Sequence, residues 1–134
     1  MLKALAIHAY ARLAAVRHKV NPDCHFCRII AGRAPAEIVF RDEQVTAFRD
    51  IHPVAPTHIL IVPNKHIGST NELEGEDEPL IGHVFGVARD LARSEGIDED
   101  GYRIINNTGA HGGQTIFHMH FHLIGGQRMR HPMG

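Results

Sequence analysis

Near the C-terminal end of the chain three histidines alternate with apolar residues, His118-Met119-His120-Phe121-His122-Leu123, directly after the glycine-rich stretch 109–114. In an extended strand alternate side chains share a face at spacings of about 6.5–7 Å, so the three imidazoles line one surface while Met119, Phe121 and Leu123 bury on the other. Imidazole, with an ordinary pKa of about 6.5, serves near neutrality as nucleophile, general acid or general base. Exposed strand faces usually carry Thr, Lys or Glu, so strict histidine alternation behind paired glycines points to a site. Chemistry at phosphorus needs a nucleophile, donors for the phosphoryl oxygens and a proton carrier. The histidines offer the first and last. Backbone N–H groups at Gly113, Gln114 and Thr115, with the Thr115 hydroxyl, offer the donors, and the glycines let backbone approach an anion closely. Water would then cleave the phosphorus–histidine bond while a second imidazole moves the proton.

The two cysteines, Cys24 and Cys27, lie three residues apart. One such pair in a chain of this length reads as metal-binding or redox, not as a disulfide framework, and implies a reducing compartment. Structural zinc needs two further ligands, for which the 12 histidines are the obvious source. Two other readings stay open at this point: buried, unliganded thiols, and a redox pair, although the latter should follow a βαβ pattern that nothing before Cys24 supplies.

These residues must be positioned by one folded unit, since 134 residues fit a single domain. An apolar fraction of 43% and a charged fraction of 22% exclude both a disordered and a membrane-embedded chain. Fourteen Lys plus Arg against 15 Asp plus Glu leave no basic field for nucleic acid, so a small anionic ligand fits better. Residues 1–22 are basic and partly apolar and read as an N-terminal extension, either a surface helix, a poorly ordered arm or a mitochondrial-type transit segment. The domain proper spans 23–134. It opens with a short helix over 24–31, capped by Asp23 and stopped by Gly32. Residues 36–40 and 45–48 form a hairpin around the polar turn 41–44. The continuous run 59–62 is a strand buried on both faces, and Pro79 opens a long helix reaching Glu95, its apolar stripe covering the sheet. Strands over 102–106 and 115–124 complete an α+β domain with a largely antiparallel sheet.

The run His118-Met119-His120-Phe121-His122-Leu123-Ile124 resembles the signature of the histidine triad superfamily, and the chain from about Cys24 onward is similar to its Hint branch, the purine nucleoside phosphoramidase type. Further stretches carry the resemblance: Phe48-Arg49-Asp50-Ile51, Ala55-Pro56-Thr57-His58, Val62-Pro63-Asn64-Lys65-His66-Ile67 and the Gly112-Gly113-Gln114-Thr115 loop. It implies a mostly antiparallel five-stranded sheet with one long and one or two short helices. It further implies a hydrolase or nucleotidyl transferase acting at the α-phosphate of nucleoside phosphoramidates. On these positions it makes His120 the nucleophile, His122 a phosphate contact, His58 part of the histidine chain that orients the nucleophile, and His118 the remaining triad member. Asn107, Gly113 and Thr115 match phosphate contacts with Gln114 beside them, Asp50 a ribose contact, and Phe26, Ile29, Phe48, Ile51 and Leu60 an apolar slot for a purine. The zinc-containing bacterial-type variant it resembles completes a structural zinc site on Cys24 and Cys27 with His66 and His118. The resemblance also implies a small-molecule purine nucleotide as partner, no organic cofactor, a homodimer and a cytoplasmic location. Dinucleoside polyphosphate hydrolysis, removal of adenylate from conjugates, and a zinc-stabilised nucleotide-binding module are the competing functions. Two departures stand out: His131 replaces the tail tryptophan of the Hint pattern, and Arg49 puts a positive charge beside the ribose contact.

Overall fold

The computed structural model describes residues 21–133, so the expected N-terminal extension lies almost wholly outside the described residues. Helix α1 (His25–Ile30) precedes the hairpin β1 (Ile38–Arg41) and β2 (Val45–Arg49), followed by β3 (Thr57–Pro63). Two short 3-10 turns lead into α2 (Glu78–Ser94), and β4 (Tyr102–Asn106) and β5 (Phe121–Gly125) complete the unit. The five strands lie in the order β1-β2-β3-β5-β4, every neighbouring pair antiparallel.

Strand alternation divides the apolar residues between the two faces of this sheet. Val45 and Ala47 of β2, Ile59 and Ile61 of β3, and Phe121 and Leu123 of β5 pack against Leu80, Val84, Val87, Ala88 and Leu91 of α2. The stripe on α2 recurs every three or four residues, as an amphipathic helix requires, and burying each Val or Leu contributes about 1.5–3 kcal/mol. On the opposite face Phe48, Leu60 and Val62 pack against Phe26, Cys27, Ile29 and Ile30 of α1. The central strand β3 is buried throughout because it feeds both layers.

Helix α1 differs from its expected start. The Cys24 side chain, not Asp23, caps it by accepting from the Cys27 N–H at 3.3 Å, while Asp23 donates its own N–H to Asn21 Oδ1. Its end follows expectation: Gly32 has φ +74, and bonds from Gly32 N–H to Ile29 O and from Arg33 N–H to Arg28 O form a Schellman stop. The last strand begins at Phe121 instead of residue 115. In the β3–β5 register the second position beyond Ile61↔Phe121 would set Pro63 against Met119, and proline has no N–H for the ladder. Met119 N–H donates instead to Ile67 O. The alternation of faces survives this break, with Met119 in the α2-side core and His118, His120 and His122 on the α1 side.

Candidate active site

Each triad histidine has one ring nitrogen committed to a partner, and the partner decides which nitrogen keeps the proton. His120 Nδ1 lies 2.8 Å from the carbonyl oxygen of His118. A carbonyl only accepts, so Nδ1 carries the hydrogen and Nε2 holds a lone pair. His118 is set the other way round: its Nε2 donates to Pro63 O at 2.7 Å, which leaves the lone pair on Nδ1. His122 is governed through His58. Val54 N–H donates to His58 Nδ1 at 3.2 Å, so the His58 proton sits on Nε2 and is donated to His122 Nδ1 at 2.9 Å. His122 therefore keeps its own proton on Nε2. Asp50 Oδ2, 3.4 Å from His58 Nε2, favours the same tautomer.

These assignments hold for neutral rings, and the surroundings keep the rings neutral. Burial lowers the pKa of His120, opposed by its bond to the His118 carbonyl and by the Asp50 carboxylate. Burial, together with the nearby His120 and His58, pushes His122 down to about 4. His58 is lowered by burial against the pull of Asp50. The His120 and His122 ring centres are 5.1 Å apart, and Phe26 meets His120 edge-on at 5.2 Å. Phe26, Ile29, Phe48 and Leu60 form the buried apolar wall behind this face, whereas Ile51 stands outside it at 80% exposure.

The loop between β4 and the triad is held by turns: Gly112 N–H and Gln114 N–H both reach Gly109 O, and Gly113 N–H reaches Ala110 O. Two of the three N–H groups expected to cradle an anion are thus engaged inside the loop, and Thr115 is the exposed member at its end. Asn107 Nδ2 donates to Gly112 O at 2.7 Å, and Gly113 adopts φ +84, a conformation that favours glycine. A Cβ on Gly112 would lie 2.3 Å from Thr108 O, so that position has no room for a side chain.

Cys24, Cys27, His66 and His118 converge with their ligand atoms all within 4.8 Å of one another. Cys24 Sγ and Cys27 Sγ lie 3.4 and 3.6 Å from His118 Nδ1, and Cys27 Sγ lies 3.3 Å from His66 Nδ1. A tetrahedral ion with bonds of about 2.3 Å to sulfur and about 2.0 Å to nitrogen spans ligand edges of about 3.5 Å, so the four residues fit zinc. The donor set agrees, because the His118 bond to Pro63 O points its lone pair at the cysteines. Without an ion, burial pushes the Cys27 thiol up to about 11, and a metal would be what deprotonates it. Asp50, His58 and His122 also lie close together, but the nitrogens of His58 and His122 face each other as donor and acceptor, which makes a proton chain and not a cage.

The family model of the HIT domain matches residues 31–129. This chain belongs to the HIT domain family. It is 52% identical over 109 residues to the purine nucleoside phosphoramidase of Escherichia coli strain K12, covering 81% of this chain and 88% of that one. An uncharacterised HIT-like protein of Rickettsia prowazekii is 44% identical over 81% of this chain and 92% of its own length. Among solved structures, a HIT family hydrolase from Legionella pneumophila superposes with a TM-score of 0.81 at 46% identity, covering 84% of this chain and all of the other. A histidine triad protein from Clostridium difficile gives 0.80 at 39% identity, over 83% and 96% of the two chains.

Within this HIT domain Arg49 does not charge the ribose side of the site. It belongs to the α2 face, where its guanidinium makes a two-pronged pair with Glu95 at 2.8 and 3.0 Å. The histidines outside the constellation are exposed, as expected of His25, His52, His111 and His131, except His83, whose Nε2 donates to Asp42 at 2.6 Å; His8 and His18 lie outside the described residues. Asn106 carried no signal in the sequence, yet its Nδ2 donates to His120 O at 2.9 Å and its Oδ1 accepts from Thr70. Only the register Asn106↔Phe121 brings it there.

Proposed function

We propose that this HIT domain hydrolyses purine nucleoside phosphoramidates by attack of His120 Nε2 on the α-phosphorus. The observation that carries the reading is the bond from His120 Nδ1–H to the His118 carbonyl, which leaves a neutral, unprotonated Nε2 on the site face. The likeness to a purine nucleoside phosphoramidase supports the substrate class. As the P–Nε2 bond forms, the P–N bond of the substrate breaks and its electron pair leaves with the amine, which takes a proton from solvent. Water then attacks phosphorus, the electron pair of the P–Nε2 bond returns to His120, and the proton of the water goes to solvent. His122 Nε2–H donates to a phosphoryl oxygen throughout, held in that tautomer by His58. Thr115 and the second amide hydrogen of Asn107 donate on the phosphate side, with the Gly113 backbone, whose N–H also reaches Ala110 O, beside them; Asp50 receives the ribose hydroxyls, and the purine lies between the Phe26, Ile29, Phe48, Leu60 wall and Ile51.

Zinc on Cys24, Cys27, His66 and His118 supplies a rigid link between α1 and the triad segment when bound, and no reaction step. The chain acts as a cytoplasmic homodimer, for which the outer edge of β4 is a natural seam and two unpaired cysteines suit a reducing compartment. Among the described residues no helix is long and apolar enough to cross a membrane.

The test is to incubate the protein with an adenosine phosphoramidate, quench in alkali and map the adduct by mass spectrometry. Adenylate on His120, with turnover in His120→Asn reduced by about a thousandfold or more, is the expected result. Full turnover in that variant would exclude the mechanism.

A further inference from the structure

Gln114 ends the glycine-rich loop, yet its side chain is only 5% exposed as a residue and is committed to backbone. Its Oε1 accepts from Gly109 N–H at 2.9 Å, and its Nε2 donates to Gly68 O at 2.8 Å and to Ile116 O at 3.1 Å. Both amide donors are therefore used, and the remaining oxygen is an acceptor, which an anion does not seek. One side chain thus closes the loop across five residues and ties it to the segment after β3. That same segment bears His66 and receives Met119 N–H through Ile67 O. Residues 109–113 are otherwise held by turn bonds and by Asn107, with no buried side chain of their own among them.

We infer that Gln114 is a positioning residue: its buried amide holds the loop 109–113 and Thr115 in register with His118–His122, and so sets affinity for the phosphate of a nucleotide but not for its nucleoside part. The inference rests on the proposed function, since it takes this loop to be the phosphate side. A buried amide that loses its partners leaves the backbone groups of Gly109, Gly68 and Ile116 unsatisfied, so the loop relaxes while the base wall and ribose contact, carried by α1, β2 and β3, stay in place.

The experiment compares binding of adenosine 5'-monophosphate and of adenosine by calorimetry in wild type, Gln114→Met and Gln114→Glu. Methionine keeps the length without the bonds; glutamate keeps the acceptor for Gly109 and loses both donors. The expected result is that monophosphate affinity falls about tenfold or more in both variants while adenosine affinity stays within about twofold. Equal losses for both ligands, or no loss for either, would overturn the inference. A wild-type protein that binds adenosine as tightly as its monophosphate would instead overturn the reading of the site, and the inference with it. Should both variants fail to fold, the Gln114 side-chain NH2 resonances of the wild type decide the matter. Slow hydrogen exchange that persists when the monophosphate binds supports positioning; release of the amide from Gly68 and Ile116 on binding overturns it.

Discussion

The proton on His58 Nε2 determines where His122 keeps its own, and through it which donor faces the phosphate. Replacing His58 by phenylalanine removes that N–H and leaves His122 Nδ1 without its donor, so the ring can carry its proton on the wrong nitrogen. The expected consequence is a loss of about 10–100-fold in kcat/KM with the adduct still on His120, measured by steady-state turnover of a fluorogenic adenosine phosphoramidate. Unaltered kinetics would remove His58 from the chain. Position 112 offers a second test. Its missing side chain is required because Thr108 O lies where a Cβ would stand, so Gly112→Ala must move backbone in the phosphate loop. Turnover should fall while adenosine binding holds. At this scale the sequence displayed the alternating histidines plainly. It was silent on their tautomers, because those depend on the carbonyls of Pro63 and His118 and on the N–H of Val54, backbone groups that residue type does not single out.

Helix α1 is short, and its six residues would be marginal alone. Packing of Phe26, Ile29 and Ile30 on Phe48, Leu60 and Val62 holds it, and the Cys24, Cys27, His66, His118 cluster ties it to two further segments. Cys27→Ser should therefore bind less than the roughly one equivalent of zinc expected of wild type and unfold at least about 5 °C lower, read by metal analysis and thermal denaturation. A variant with full metal content and unaltered melting would show that this cluster is not the link. The helices and the β1–β2 hairpin were legible because their punctuation is local: Gly32 at a helix end, Pro79 at a helix start, Asp42 capping the 41–44 turn through Gln44 and Val45 N–H. The start of β5 was not, because it is decided by a proline on a different strand.

For the molecule as a whole, burying neutral imidazoles makes stability depend on pH. The unfolded chain binds protons at its histidines below about 6.5, while folded His122 does so only near 4 and His58 is lowered in the same direction. Stability is therefore full above the unfolded value and is lost as pH falls from about 6.5 toward 4. In metal-stripped protein the denaturant midpoint should drop between pH 7 and pH 5, and His122→Asn should lessen the drop without abolishing it, since burial pushes His118 down to about 4 as well; a midpoint constant over that interval would contradict the burial argument. What the sequence determined by itself was the fold class, the long helix, the central strand, and the residues that could do chemistry. Those properties follow from periodicity and residue type along one segment at a time. The tertiary structure decided the rest: that Arg49 spends its charge on Glu95, that Gln114 turns inward to backbone, that Ile51 stays outside the apolar wall, and which nitrogen of each imidazole is free. Glu95, Gly68 and Pro63 are distant in the chain from the residues they bind, and even the nearby groups, the His118 carbonyl for His120 and the Val54 N–H for His58, are aimed by the packing and register of the sheet.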